Sequence, residues 1–270
     1  MDVPGYALVT VAGSSFGIGT ACAIAFAQES AAGVALLDIN GSGLEATKAE
    51  IAKIVRSIPC KVLTYALNIT DEAEVTRAVN DAAQQFGRLD YVVNAAGIAI
   101  KHAGGTAYAK TDDWNRVLDI NLNGTFYVLR AAAAIMLEQK PILSSIDGRP
   151  LQRGSIVNFS SIQGVVGITL STAYTTAKHA VIWLTRTASE DYAARGLRVN
   201  AICPGYTETP MTTKNPEVLR AMEERVESAV PMKRMGAPRE IADGVLYLAG
   251  GRSSFVTGSA LMVDGGYTSR

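Results

Sequence analysis

Seven short apolar runs, separated by longer amphipathic stretches, constrain the fold of this chain more than any other feature. They lie at 6–12, 33–39, 61–67, 89–95, 155–160, 197–203 and 259–263 and are rich in Val, Ile, Leu or Tyr. Apolar residues dominate each run, as in strands buried on both faces. Helical candidates fill the intervals at 17–30, 42–56, 71–86, 112–138, 173–195 and 238–249. Several open on cap-like residues, such as Thr70-Asp71-Glu72 and Thr111-Asp112-Asp113. Strands alternating with helices predict an α/β protein with a parallel sheet covered on both faces. No repeat, low-complexity tract or linker divides the 270 residues, so one domain over 1–270 is expected.

Charge narrows the possible partners. The chain carries 25 basic and 25 acidic side chains, which leaves no basic footprint for nucleic acid and no polybasic membrane patch. No apolar run approaches the roughly 18 residues of a membrane helix. The start of the sequence lacks a basic region followed by an apolar core, so no signal peptide is expected. Cys22, Cys60 and Cys203 are scattered and odd in number, which fits reduced thiols in a cytoplasmic protein. With only His102 and His179, and no Cys-x-x-Cys, no metal site is expected.

Three stretches carry chemistry. The first strand runs into Gly13-Ser-Ser-Phe-Gly17-Ile-Gly19, which opens the first helix. Glycines there let the backbone turn tightly and approach a pyrophosphate at the positive helix end. The spacing Gly-x3-Gly-x-Gly differs from the usual Gly-x-Gly-x-x-Gly. The second strand ends on Asp38-Ile39, where an acid would accept hydrogen bonds from ribose hydroxyls and repel a 2′-phosphate. No Lys or Arg follows until Lys48, so NAD is favoured and NADP is the less favoured alternative. The fifth apolar run ends in Ser160-Ser161, and Tyr174-Thr-Thr-Ala-Lys178 follows. One helical turn separates Tyr174 from Lys178, so an ammonium beside a phenol would favour the phenolate. A serine at a strand end would polarise an oxygen whose charge changes in the reaction.

Taken together, these residues resemble the short-chain dehydrogenase/reductase family along nearly the whole length. The matching marks are Gly13/Gly17/Gly19, Asn94-Ala-Ala-Gly97, Asn121-Leu-Asn-Gly124, Ser161, Tyr174-x3-Lys178, Pro204-Gly205 and Asp264-Gly-Gly266. The resemblance implies a doubly wound Rossmann-like sheet in strand order 3-2-1-4-5-6-7, and a catalytic tetrad of Asn121, Ser161, Tyr174 and Lys178. It implies cofactor contacts at Gly13, Ser15, Phe16, Gly17, Ile18, Gly19, Asp38, Ile39, Asn68, Ile69, Asn94, Ala95, Ala96 and Gly97. Further contacts are implied at Tyr174, Lys178, Pro204, Gly205, Thr207 and Thr209. In the family, the lysine also bonds the nicotinamide ribose and the asparagine holds a water that continues a proton relay. The implied activity interconverts a secondary alcohol and a ketone. The alternatives are a non-catalytic dinucleotide-binding module of the same fold, or a non-redox enzyme of natural-product metabolism. Family members commonly form tetramers, so a homotetramer, or else a homodimer, is expected.

Departures from the family pattern mark where this chain is its own. Ala12 stands where the family usually has Thr, and Ala95 replaces the second Asn of Asn-Asn-Ala-Gly. Both changes remove side-chain hydrogen bonds between neighbouring strands. Asn68 replaces a common Asp, and its amide still donates and accepts. A polar connection at 139–154 reads as a surface insertion, and 206–236, with its prolines and methionines, as a substrate loop. Gln163, Tyr206 and Met211 are the candidate substrate contacts. His102 is expected on a solvated loop near the cleft mouth, His179 as a packing residue, and Cys203 as a small buried hydrophobe.

Overall fold

The computed structural model describes residues 3–11, 13, 17–55, 60–144, 146–213 and 215–269. Ala12, Ser15 and Phe16 lie outside the described residues, as does the Met211 side chain. In chain order the elements are β1 (Tyr6–Thr10), α1 (Ile18–Gln28), β2 (Gly33–Asp38), α2 (Gly41–Ile54), β3 (Lys61–Ala66) and α3 (Glu72–Phe86). Next come β4 (Tyr91–Asn94), α4 (Thr111–Leu118), a π-helical turn (Asp119–Asn123), α5 (Gly124–Met136) and β5 (Gly154–Phe159). The chain continues with α6 (Thr172–Tyr192), β6 (Leu197–Pro204), α7 (Pro210–Thr213), α8 (Pro216–Ala229), α9 (Pro238–Ala249) and β7 (Ala260–Val263).

The seven strands form one sheet in the order 3-2-1-4-5-6-7, as expected. Every neighbouring pair is parallel. Successive strand residues point to opposite faces, and the two faces are filled separately. Ala7 and Val9 join Phe26, Leu44, Val245 and Leu246, so α1, α2 and α9 cover one side. Leu8 joins Val79, Phe86, Leu129 and Met136, so α3 and α5 cover the other. Burial on both sides explains why the strands read as apolar runs.

Two expectations are corrected. The single helix expected at 112–138 is two helices joined by the π-helical turn. At that turn Asn121 reaches sideways to the chain after β4, and the Thr125 hydroxyl takes the Asn121 carbonyl at 2.9 Å. The 206–236 stretch contains α7 and α8, and Asn215 caps α8 by accepting from Glu217 N and Val218 N. The 139–154 connection forms a small antiparallel ribbon, with Leu143 bridged to Pro150. Gln139 grips the Leu89 backbone just before β4, so the ribbon sits at the N-terminal edge of the sheet.

One buried cation ties that edge together. Arg198, on β6, is 5% exposed. Its guanidinium donates to the carbonyls of Leu248 (2.8 Å), Ala249 (2.9 Å), Gly250 (3.2 Å) and Val256 (3.0 Å). Three of those carbonyls lie at the end of α9, so Arg198 caps that end across space together with Gln152, Ser155 and Ser253. Burial lowers its pKa to about 10, still far above neutrality. Arg198→Met should therefore take the charged donor from four buried carbonyls, each of which keeps a neutral donor, and cost about 2 kcal/mol in urea unfolding. Arg198→Lys, with three donors and no planar fork, should recover only part of that loss.

Candidate active site

The C-terminal ends of β1, β4, β5 and β6 converge on one cavity of about 270 Å³. It opens where the strand order reverses between β1 and β4, the place where doubly wound sheets leave a crevice. Gly17 caps α1 without a side-chain bond, and no acid stands in the first turn. Gly17, Ile18 and Gly19, at the start of that helix, line the cavity. Such a helix end holds a pyrophosphate. A side chain on Gly19 would collide with the Val11 and Thr10 carbonyls. Gly13 is held by its surroundings: its N–H donates to Asp38 Oδ2 at 3.0 Å, and its carbonyl accepts from Asn40 Nδ2 at 3.1 Å. The other Asp38 oxygen accepts from Asn40 N at 2.9 Å.

The remaining cofactor candidates spread along the strand ends. Ile39 is 75% exposed beside Asp38. Asn68 turns its carbonyl oxygen onto Thr70 N at 3.1 Å, and Ile69 packs against Gly124 at the start of α5. Ala95 and Gly97 line the cavity, and a Cβ on Gly97 would lie 3.3 Å from Asn121 Oδ1 and 3.4 Å from Lys178 Nζ. Ala96 is buried, its N–H accepted by Thr10 Oγ1 at 3.0 Å. Asn94 is the exception. Its amide points into the protein and donates to Asn158 at 2.9 Å, which donates in turn to Thr185. Pro204, Gly205, Tyr206, Thr207 and Thr209 form the wall after β6.

Three of the four tetrad candidates line this cavity: Ser161, Tyr174 and Lys178. Ser161 leaves β5 with extended backbone, and its hydroxyl accepts from Gln163 N at 3.1 Å. That hydroxyl also acts on the Tyr174 phenol, lowering its pKa against the rise that burial causes. Lys178 is buried one turn along α6, donates to the Phe159 carbonyl at 2.7 Å, and lies 5.6 Å from the Tyr174 ring centroid. The fourth, Asn121, is fully buried behind them. Its amide is spent on Ile98, accepting from the N–H at 2.8 Å and donating to the carbonyl at 2.9 Å. Gln163 accepts from Thr175 Oγ1 at 2.9 Å and faces the cavity, and Tyr206 stacks edge-on against Tyr267.

Known proteins similar to this chain show its family. The family model described as enoyl-(acyl carrier protein) reductase matches residues 12–268. Short-chain dehydrogenase fogB of Aspergillus ruber is 40% identical over 270 residues, covering 99% of this chain and 98% of its own. The chain belongs to the short-chain dehydrogenase/reductase family. It is an NAD(P)-dependent oxidoreductase of that family. The 3-oxoacyl-[acyl-carrier-protein] reductase FabG of Thermotoga maritima is 38% identical, covering 95% of each chain. The crystal structure of levodione reductase superposes with a TM-score of 0.87 at 33% identity, over 100% of this chain and 99% of that one.

Against the family's pattern, sequence reading missed Thr10. The strand tie expected to be lost with Ala12 is made two residues earlier. Thr10 Oγ1 accepts from Ala95 N at 2.9 Å and Ala96 N at 3.0 Å, joining β1 to the turn after β4. The signal was a polar residue closing an apolar strand. Val11 follows with φ 57°, a left-handed conformation that is costly for a β-branched side chain. His102 is also corrected: it is 3% exposed, because its loop folds onto the start of α6 through His102 N to Leu170 O at 2.8 Å. His179 bonds the Thr175 carbonyl through Nδ1 at 2.9 Å, and Cys203 is buried, its thiol pushed up to about 11 by burial.

Electrostatics correct one further expectation. Burial raises the Tyr174 phenol above its ordinary value, and the Ser161 hydrogen bond offsets only part of the rise. Burial also lowers Lys178 to about 8, so the protein alone does not hold a phenolate at neutral pH. The ammonium spends a hydrogen bond on Phe159, and desolvation outweighs its pull on the phenol. A 295 nm titration of the protein without dinucleotide, minus that of Tyr174→Phe, should place Tyr174 ionisation above about 10. A phenolate signal below that value would show that Lys178 already dominates.

Proposed function

We propose that this enzyme interconverts a secondary alcohol and a ketone, with Tyr174 moving the hydroxyl proton and Ser161 polarising the oxygen. The observation that carries the reading is that Ser161, Tyr174 and Lys178 share the wall of one cavity with the Gly17–Gly19 turn. A substrate oxygen seated between the Ser161 and Tyr174 hydroxyls would meet a donor and a stabiliser at once. The nicotinamide, when bound, supplies the hydride acceptor or donor. The residues present fit such a group: an uncapped helix end without acids suits its pyrophosphate, and Gly97 keeps clear the space before Lys178.

Each tetrad member then has a task. Lys178 adds positive charge beside the phenol while it stays protonated, which is the case below about 8. It also remains the candidate to bond the nicotinamide ribose. Asn121 fixes the chain after β4 through Ile98. With its amide so engaged, its main-chain carbonyl, shared with Thr125, is the group left to hold a relay water. Gln163, Tyr206 and Met211 are assigned to the substrate, with the 206–236 segment closing over it.

NAD is the preferred dinucleotide in this reading. Asp38 stands at the end of β2, and no cation among the described residues bonds its carboxylate. A 2′-phosphate there would meet a negative charge. The kcat/KM for NAD should exceed that for NADP by at least tenfold, or about 1.4 kcal/mol. Asp38→Ala should shrink the preference and also raise KM for NAD, because Gly13 loses its acceptor. Equal use of both dinucleotides by the unaltered enzyme would refute the assignment.

The proton step has a sharper test. Tyr174→Phe should still bind dinucleotide while kcat falls by about two powers of ten or more. Alcohol oxidation should rise with pH as the phenol deprotonates, and Lys178→Met should lower kcat and weaken dinucleotide binding as well. Turnover by Tyr174→Phe near that of the unaltered enzyme would assign the proton to another group.

A further inference from the structure

The outer part of the cavity carries charge of one sign. Lys101 stands on its wall, the other charged group among the described lining residues is Lys178, and no Asp or Glu lines it. The chain as a whole balances 25 basic against 25 acidic residues, so composition does not explain this excess. Lys101 Nζ donates to Ser171 Oγ at 2.9 Å and to the Thr169 carbonyl at 3.4 Å. An ammonium has three donors, so one is left uncommitted. Ser171 is 3% exposed at the start of α6, which fixes where the ammonium sits.

α8 carries a second cation on the side that bears Met222. Arg225 lies three residues beyond Met222, on the same helix face, and Met222 lines the cavity. Interaction with Tyr206 first, and with Tyr267, holds the Arg225 guanidinium above its ordinary pKa. Burial, and then the charge of Arg225, push Lys101 below its ordinary value. Among the described residues, neither cation takes part in a salt bridge. Two cations whose charges act on each other, beside a cavity with no carboxylate among its described lining residues, are complementary to an anion.

Resting on the redox reading above, we propose that the substrate carries an anionic group bound between Lys101 and Arg225 while its carbonyl reaches Ser161 and Tyr174. Ser171 holds Lys101 in position, and Gln163 and Tyr206 line the path between the two ends. Lys101 belongs to the loop after β4 and Arg225 to α8, so the anion bridges the body of the enzyme and the segment over the site. Binding it relieves the repulsion between them, which selects for acids over neutral analogues of the same shape.

The test uses matched pairs: 3-oxobutanoate, 4-oxopentanoate and 5-oxohexanoate, each against its methyl ester, with reduced dinucleotide saturating. For at least one chain length, the acid should exceed its ester at least tenfold in kcat/KM. Lys101→Met and Arg225→Gln should each reduce that acid-to-ester ratio at least tenfold, Lys101→Arg should retain it, and added salt should weaken it. A second arm compares 3-oxobutanoyl thioesters of pantetheine and 4′-phosphopantetheine. Preference for the phosphorylated thioester would assign the anion to a carrier arm, and preference for the free acids to the substrate itself. Equal turnover within every pair, or a preference that survives both variants, overturns the proposal. Binding is read separately, as the rise in melting temperature each compound gives the dinucleotide-loaded protein. Acids that stabilise the protein through Lys101 without being turned over would sink the redox reading and leave the anion site standing.

Discussion

Lys178 holds its ammonium 2.7 Å from the Phe159 carbonyl inside the protein, and much of the site is arranged around what that burial costs. A buried cation without a carboxylate must find dipoles, and the carbonyl at the end of β5 supplies one. Ser160, next along, donates to the Lys178 main-chain carbonyl at 2.8 Å, which fixes α6 against that strand end. The same contact sets the turn of α6 that carries Tyr174, and Gly164 passes beneath with no room for a side chain. Displacing the lysine would therefore move the phenol and loosen the strand end together.

Behind this centre runs a line of buried amides and hydroxyls. Asn94 donates to Asn158, Asn158 to Thr185, and Thr185 to the Val181 carbonyl, crossing from β4 through β5 to α6. Asn121 and Thr10 make parallel ties, one to Ile98 and one to Ala95 and Ala96. Each joins a strand end to a neighbouring element through a main-chain group that the sheet leaves unpaired. Polar residues at these positions are structural braces that keep the ends of β1, β4 and β5 in register around the cavity.

How much of this was legible in the sequence follows from which forces are local. Strands such as Tyr91–Asn94 and Leu197–Pro204 declared themselves because burial on both faces leaves them few polar residues. Tyr174 and Lys178 were legible because helical spacing alone puts them on one face. The π-helical turn at Asp119–Asn123 was not, since its cause is a contact with Ile98 more than twenty positions away in the chain. Thr10 was misjudged for a similar reason: its partners belong to β4's turn. The rise in the Tyr174 pKa was also hidden, because spacing reports the nearby ammonium and says nothing of desolvation.

The ribbon at 139–154 has a practical consequence. It leaves α5 and returns to β5 at the edge of the sheet opposite the cavity, anchored by Gln139 and by Gln152 on the Ala249 carbonyl. Its tip is exposed, and Gly148, at φ 71°, has nothing within 4 Å of where a side chain would begin. Most anchors are at the base, and from the tip Arg149 reaches the Gly251 carbonyl by its side chain, so the point between Asp147 and Gly148 is a natural junction for grafting a reporter domain or an immobilisation handle. A protein tethered there would present its reactive mouth to solution, with the sheet itself standing between the surface and the substrate.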